Sequence, residues 1–163
     1  MARKSKYGQP SAKLSTTLWA PALYIRLSRE DGDREESNSI ASQRELLTEF
    51  ANTQTDMAAP RLYTDDGCTG TDFDRPDFQR MLNDLRAGII NCVIVKDLSR
   101  FGRNYVGVGE YLEHVFPLLN VRFISVSDNV DSYLDPRSVN NLVVPFKNII
   151  NDEYCRDISN KVR

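Results

Sequence analysis

The sequence contains few of the residues that build metal sites and disulfide frameworks. It has 3 cysteines and 1 histidine in 163 residues. Cys68, Cys92 and Cys155 are widely spaced, no Cys-x-x-Cys pair occurs, and His114 stands without a second histidine. This pattern argues against a zinc site and against a disulfide-stapled secreted domain. We expect no metal, and reduced thiols of the kind found in cytoplasmic proteins.

Long apolar runs and an excess of positive charge are missing as well. No run approaches the roughly 20 apolar residues of a membrane span, and the basic N-terminus lacks the apolar core of a signal peptide. Lysine and arginine number 21 against 23 aspartates and glutamates, for a net charge of −2. If the domain binds a nucleic acid, we expect it to do so through a local cluster of arginines. Most of the binding affinity would then have to come from outside this domain.

What the sequence does contain is an alternation of strand-like and helical segments. Strands are predicted at 21–28, 61–64, 89–96 and 121–126. Helices are predicted at 39–53, 76–87 and 104–119, and from about Pro145 to the end. The segments 29–38, 65–75 and 127–140 are expected to be loops. This order predicts an α/β fold with a central, mostly parallel sheet of four to five strands.

The same pattern suggests three parts of the chain. Residues 1–20 are predicted to be a flexible tail rich in Ser, Thr and Lys, and residues 21–140 to form one globular domain. Residues 141–163 are predicted to be the first part of a longer helix, since no glycine or proline stop signal precedes Arg163.

The candidate site lies where the predicted strands end, because ligands of parallel sheets bind outside the carboxyl ends of the strands. Arg26 and Ser28 point to the same side of the first strand, since strand side chains alternate. Further arginines follow later strands at positions 75, 100 and 103. Guanidiniums around a hydroxyl, with no metal cage, suit phosphoryl transfer, because they stabilise the charge spread over phosphate oxygens.

Simpler interpretations exist for each residue taken singly. Ser28 alone is a strand-end serine that caps a turn, and Gln43 alone belongs to the polar face of a helix. The aspartates at 65, 66, 72 and 74 form either a Mg²⁺ cluster or ordinary glycine-rich turns. No role is expected for Cys68 or for His114.

Four motifs in order resemble those of the serine recombinases, the family of resolvases, invertases and serine integrases. They are Tyr24-x-Arg26-x-Ser28, Ser39-Ile40-x-x-Gln43, Asp65…Gly70…Asp74-Arg75-Pro76 and Leu98-Ser99-Arg100-Phe101-Gly102-Arg103, and they lie within residues 22–128. Residues 151–163 resemble the start of the long helix of that family. Within the family, these motif sequences most resemble those of the large serine recombinases, including transposases of mobilisable elements.

The resemblance implies a resolvase-like three-layer fold followed by a long helix at a subunit interface. It implies that Ser28 attacks a DNA phosphodiester to give a 5′-phosphoserine and a free 3′ hydroxyl. Dimers would join in a synaptic tetramer that cuts double-stranded DNA, exchanges the strands and reseals them, with no ATP, cofactor or obligatory metal. The implied phosphate-binding residues are Arg26, Arg75, Arg100 and Arg103, with Gln43 orienting Ser28 or the phosphate.

One position departs from the family pattern. Many members have aspartate where this chain has Ser99, so the group that protonates the leaving oxygen is an open question, for which an arginine, a water or Asp97 is a candidate. The alternative function is a non-catalytic module that assembles DNA complexes with the same fold. A flavodoxin-like phosphate-binding domain is disfavoured, because no glycine-rich loop follows the first strand.

Overall fold

The computed structural model describes residues 18–27, 39–66, 75–102 and 105–161. The strands are β1 (Pro21–Leu27), β2 (Arg61–Asp66), β3 (Cys92–Val95), β4 (Arg122–Ser125) and β5 (Val130–Asp131). The helices are α1 (Ile40–Thr53), α2 (Pro76–Arg86), α3 (Leu98–Phe101), α4 (Tyr105–Glu110), α5 (Phe116–Leu118) and α6 (Pro136–Lys161). A single π-helical segment, Tyr111–Val115, joins α4 to α5.

The five strands form one sheet in the order β2-β1-β3-β4-β5. The first four are parallel, and β5 is antiparallel to β4 at the edge. The carboxyl ends of the parallel strands therefore share one edge of the sheet, where Arg26 lies opposite Asp65. The predicted α/β class and the mostly parallel sheet are confirmed.

Side chains of the sheet enter two apolar cores, one on each face. Tyr24, Val93 and Phe123 belong to the larger core, with Phe78 from α2 and Phe116 from α5. The smaller core, on the other face of the sheet, combines strand residues with residues of helix α1. Its members include Leu23, Ile25, Ile94 and Ile124 from the strands and Leu47 and Ala51 from α1. Because side chains alternate along a strand, a sheet covered on both faces is apolar throughout, as the buried run Cys92–Val95 illustrates.

Local signals explain where two of the helices begin. The Ser39 side chain accepts a hydrogen bond from the Ser42 backbone N–H at 3.1 Å, which makes Ser39 the N-cap of α1, at the predicted start of this helix. Pro76 occupies the first turn of α2, where its missing N–H costs nothing.

Several predicted boundaries were wrong. Strand β2 continues to Asp66 because its last residues pair with Arg26 and Leu27, whereas 65–75 was expected to be a loop. β3 is shorter than 89–96, since the chain turns at Gly88 (φ +74°) and leaves Ile89 exposed. Within 127–140, also expected to be a loop, Asp131 and Val130 pair with β4.

The last two helical predictions also need correction. Helix α6 begins at Pro136 and contains Pro145, so the expected start near Pro145 was wrong. Its first turns bury Val139 and Val143 against the larger core, which outweighs the hydrogen bond that Pro145 removes. The predicted helix over 104–119 is interrupted: Pro117 has no N–H to donate, and the Phe116 N–H reaches back to the Tyr111 carbonyl in a π turn.

Candidate active site at the carboxyl edge of the sheet

Two of the predicted site residues, Ser28 and Arg103, lie outside the described residues. Ser28 directly follows Leu27, the last residue of β1, so the chain leaves the sheet at this edge towards it. The other four predicted residues, Arg26, Gln43, Arg75 and Arg100, are all described and all buried.

The backbone carbonyl of Arg26 gathers two of these side chains. Gln43 Nε2 and Arg100 Nη1 each donate to it at 3.3 Å. The Arg26 side chain in turn donates through Nη2 to the carbonyl oxygen of Ser99 at 2.9 Å. β1, α1 and α3 are thus held together at the point where the chain proceeds to Ser28.

The Arg75 guanidinium stacks on two aromatic rings, those of Phe78 and Tyr24. Its guanidinium carbon lies 4.6 Å from the Phe78 ring centroid and 5.3 Å from that of Tyr24. Its Nη2 donates to the Phe101 carbonyl at 2.7 Å. Planar guanidiniums stack on aromatic rings more favourably than ammonium groups do, so this support favours arginine over lysine.

Asp65 anchors the N-terminus of α2, which immediately follows Arg75. Its carboxylate accepts the backbone N–H groups of Asp77 at 3.1 Å and Phe78 at 3.0 Å. The Tyr24 hydroxyl donates to the same carboxylate at 2.9 Å. Burial, and secondarily Asp65, raise the pKa of Tyr24 well above its ordinary value, so the phenol stays a donor. Asp65 is therefore a helix anchor, and its position fixes the backbone that carries Arg75.

Asp97 caps the short helix α3. Its Oδ1 accepts the Arg100 backbone N–H at 3.2 Å and is also hydrogen-bonded by the Ser99 hydroxyl. Its Oδ2 lies 3.9 Å from Arg100 Nε. A neighbouring carboxylate, Asp128, accepts the Leu98 N–H at 2.8 Å and so fixes the other side of the same turn.

No metal centre is formed by the described residues. Within 18–27, 39–66, 75–102 and 105–161, no group of three His, Cys, Asp or Glu side chains is arranged to hold an ion. Asp65 is engaged by backbone and phenol donors, while Asp72 and Asp74 lie outside the described residues. His114 is on the surface, 3.2 Å from Glu110.

Arg26, Arg75 and Arg100 are only 0, 1 and 5% exposed, respectively. Each donates to a main-chain carbonyl, which is a weaker partner than an anionic oxygen. The arrangement is suited to exchange these carbonyls for the oxygens of a phosphate.

The sequence analysis did not single out Arg122, an arginine with two ion pairs at the opposite edge of the sheet. Arg122, at the start of β4, forms ion pairs with Asp131 at 2.7 Å and Asp56 at 3.0 Å. Its guanidinium lies 5.5 Å from the Trp19 centroid and 5.3 Å from that of Tyr133. A charged residue at the start of an otherwise apolar strand was the available signal for this structural hub.

Several known proteins are similar to this chain. The family model for "Resolvase, N terminal domain" matches residues 22–163. A transposon Tn917 resolvase from Enterococcus faecalis is 41% identical over 64 residues, which cover 39% of this chain and 33% of that protein. The match therefore spans about a third of the length of that relative.

Solved structures show the same architecture. The N-terminal catalytic domain of TP901-1 integrase has a TM-score of 0.67 and 25% identity, covering 85% of this chain and 98% of that one. A resolvase-family site-specific recombinase from Streptococcus pneumoniae has a TM-score of 0.68 and 25% identity, covering 88% and 96%. The catalytic domain of an IS607-like serine recombinase, at 18% identity and a TM-score of 0.55, shares the fold. None of the helices in the described ranges has the length and hydropathy of a membrane span.

Proposed function

Because the chain belongs to the resolvase N-terminal domain family, we propose that it is a catalytic domain that cuts and rejoins DNA through Ser28. The observation that supports this most is the gathering of Arg26, Arg75 and Arg100 at the end of β1, with Gln43 on the Arg26 carbonyl. This is the edge at which parallel sheets bind ligands. The residue after β1 is the hydroxyl-bearing Ser28.

The proposed reaction is a phosphoryl transfer from DNA to the protein. The Ser28 oxygen forms a bond to the scissile phosphorus, the bond from phosphorus to the 3′ oxygen breaks, and that oxygen takes up a proton. The products are a 5′-phosphoserine and a free 3′ hydroxyl. The reverse step on an exchanged strand end restores the phosphodiester, so bond energy is conserved and no ATP is consumed.

The arginines stabilise charge in this reaction. Guanidiniums keep their charge at all physiological pH values and offer paired donors to phosphate oxygens. As the arginines at 26, 75, 100 and 103 bind the phosphate, those seen on main-chain carbonyls change partners. Gln43, already bonded to the residue two before Ser28, orients the nucleophile or the phosphate.

The partners follow from the chemistry of strand exchange. The substrate is double-stranded DNA, and exchange between two sites requires dimers that associate into a synaptic tetramer. We propose that the protein acts in the bacterial cytoplasm, associated with the nucleoid. The relatives include a transposon resolvase and an integrase, so DNA flanking the protein's own gene is the substrate of choice for testing.

The test is a cleavage assay on a supercoiled plasmid carrying that flanking DNA. The parent protein is expected to yield a covalent protein–DNA adduct on a denaturing gel, and Ser28→Ala none. Ser159→Ala, which changes an exposed serine of α6, is the matched control and should behave as the parent. An adduct that persists in Ser28→Ala would contradict the nucleophile assignment. DNA-dependent assembly with no cleavage by the parent would favour the non-catalytic module.

A further inference from the structure

The reaction proposed above needs a carrier for one proton, which leaves Ser28 and ends on the 3′ oxygen of the DNA. Near the described arginines, the carboxylate of Asp97 is hydrogen-bonded by the hydroxyl of Ser99. Ser99 is exposed, and its backbone carbonyl accepts a hydrogen bond from the Arg26 guanidinium at 2.9 Å. Ser99 therefore contacts Arg26, which precedes Ser28 by two residues in the sequence.

The geometry points to Asp97 and Ser99 as the relay for this proton, and we propose that role for them. The inference rests on the proposed cleavage by Ser28. Asp97 acts through Ser99 and positions its hydroxyl, while the Ser99 oxygen exchanges protons with the reacting groups.

Atoms and charges balance in the proposed steps. As the bond from Ser28 to phosphorus forms, its proton passes to the Ser99 oxygen and the Ser99 proton passes to Asp97 Oδ1. As the bond from phosphorus to the 3′ oxygen breaks, Ser99 gives a proton to that oxygen and regains one from Asp97. Asp97 is a carboxylate before and after, and rejoining runs the same transfers backwards.

Other carboxylates described at this edge are engaged differently. Asp65 is 4% exposed and accepts hydrogen bonds from two backbone N–H groups and the Tyr24 hydroxyl, so its carboxylate is buried and occupied by structural donors. Asp128 is itself exposed, but its carboxylate accepts the Leu98 N–H and the hydroxyl of Ser125, which is fully buried, and so holds the turn. The Asp97 side chain is 26% exposed, lies 3.9 Å from Arg100 Nε and is hydrogen-bonded by the exposed Ser99, so it is linked through that hydroxyl to the protein surface beside the arginines.

A substrate with a different leaving atom distinguishes a proton-transfer role of Asp97 and Ser99 from a purely structural one. Once the cleaved bond is mapped with the parent protein, DNA is prepared with sulfur in place of the bridging 3′ oxygen. A thiolate departs without a proton, whereas an alkoxide is a strongly basic leaving group that needs one. A residue needed only for folding or for binding DNA would affect both substrates equally.

We expect Asp97→Asn, which keeps an acceptor for the Arg100 N–H, to slow cleavage of ordinary DNA by about 10²-fold or more, within the usual range for proton-transfer groups. Ser99→Ala should show a similar loss and keeps the cap intact. On the sulfur-containing DNA, both variants should recover at least about tenfold of that loss. Asp128→Asn, which weakens the other support of the same turn, is the control and should affect the two substrates equally.

The outcomes separate the inference from the proposed function. If the parent forms no Ser28 adduct, the proposed function fails. If the parent forms the adduct but Asp97→Asn and Ser99→Ala cleave ordinary DNA at the parent's rate, the relay is wrong and the nucleophile assignment stands. An equal loss on both substrates would also overturn the relay, and would make Asp97 a cap of α3 only.

Discussion

Among the described arginines of the candidate site, Arg75 is held in a way that a lysine cannot copy. Arg75 combines a hydrogen bond to the Phe101 carbonyl with stacking on Phe78 and Tyr24. A flat cation with several donors makes both contacts at once, which an ammonium group cannot do. Charge alone is therefore an incomplete description of what position 75 supplies.

We predict that Arg75→Lys lowers the rate of covalent adduct formation by about 10²–10³-fold, the usual cost of losing one aligned donor to a transition state. The fold should persist, because the charge and most of the stem remain. Arg80→Lys is the matched control: Arg80 lies on the same helix, pairs with Asp77 at 3.0 Å and stacks on Tyr63, but is exposed. A parent-like rate for Arg75→Lys would remove Arg75 from the site.

At the level of elements, helix α2 depends on a residue from a neighbouring strand for its N-terminal cap. Arg75, at the N-cap position, makes no side-chain capping bond, and Asp65 of β2 accepts the first N–H groups instead. The free N–H groups at a helix start need acceptors when they are buried. Strand β2, helix α2 and Tyr24 of β1 are thus joined through one carboxylate.

We predict that Asp65→Ala lowers the free energy of unfolding by about 2–4 kcal/mol, since it leaves buried N–H and O–H donors unpaired. Urea unfolding monitored by circular dichroism measures the change. Asp157→Ala, which alters an exposed aspartate of α6, should stay within about 0.5 kcal/mol of the parent. Similar losses for the two variants would contradict the anchoring role of Asp65.

The opposite end of the sheet is fixed by Arg122, and this gives stability a pH dependence. Burial works to raise the pKa of Asp131, but hydrogen bonds from Arg122, Leu134 and Tyr133 outweigh it, and the pKa lies below its ordinary 3.8. A lowered folded-state pKa contributes stability that is present above the unfolded value of 3.8 and is lost as the pH falls through the folded one.

We predict that the parent loses stability as the pH falls below about 4, and that Asp131→Asn loses less over the same interval because its side chain cannot be protonated. Arg122→Met should cost about 1–3 kcal/mol near neutral pH, because it leaves the partly buried carboxylate of Asp131 without its ion pair, whereas Asp56 is 37% exposed and stays solvated. Urea unfolding at pH 6 and pH 3 tests both statements. An Asp131→Asn protein with the parent's acid sensitivity would exclude Asp131 as its source.

Elements with strong local signals were predictable from the sequence. Ser39 has a hydroxyl that caps a helix, and Pro76 precedes apolar residues at helical spacing, so both starts were confirmed. β5 was missed because two residues cannot show an alternating pattern. The start of α6 was missed because Pro136 and Pro145 are equally good first-turn residues in the sequence, and only tertiary burial of Val139 selects the first.

The site was predictable in part for a different reason. Strand order brings Arg26 and Arg100 to one edge, and a parallel α/β pattern is enough to expect this. The bonds that each side chain makes, such as Arg26 to the Ser99 carbonyl, depend on backbone positions from distant parts of the chain. No local pattern encodes them, and the same holds for Asp65 as an anchor of α2.

At the scale of the whole molecule, charge limits what this chain does by itself. Its net charge of −2 gives no general attraction for DNA, and the described site arginines are buried. Affinity for DNA grows with the number of phosphates that cations neutralise.

We predict that the 163-residue chain binds duplex DNA with a dissociation constant no tighter than about 10⁻⁶ M at physiological salt, the range of non-specific binding. Fluorescence anisotropy with labelled duplexes at several salt concentrations measures this. Arg80→Glu, which reverses an exposed charge on α2, shows how far surface charge contributes. Tight, sequence-selective binding by the chain would contradict the prediction.

The proposed reaction uses arginine side chains to stabilise the charge on the phosphate. We predict that cleavage and rejoining proceed unchanged in EDTA, because arginines supply the positive charge that metal ions provide in other phosphoryl-transfer enzymes. The plasmid cleavage assay with EDTA, and with EDTA followed by excess Mg²⁺, measures this. Loss of cleavage in EDTA that Mg²⁺ restores would favour an acidic metal site instead.

The most direct measurement of the central claim is the chemical identity of the link between protein and DNA. The adduct is digested with protease and nuclease and analysed by mass spectrometry, and the released DNA end is tested for extension by a polymerase. The proposed function predicts a 5′-phosphonucleotide on Ser28 and a free, extendable 3′ hydroxyl. A nucleotide on another residue, a link through a 3′ phosphate, or cleavage with no link to protein would contradict it.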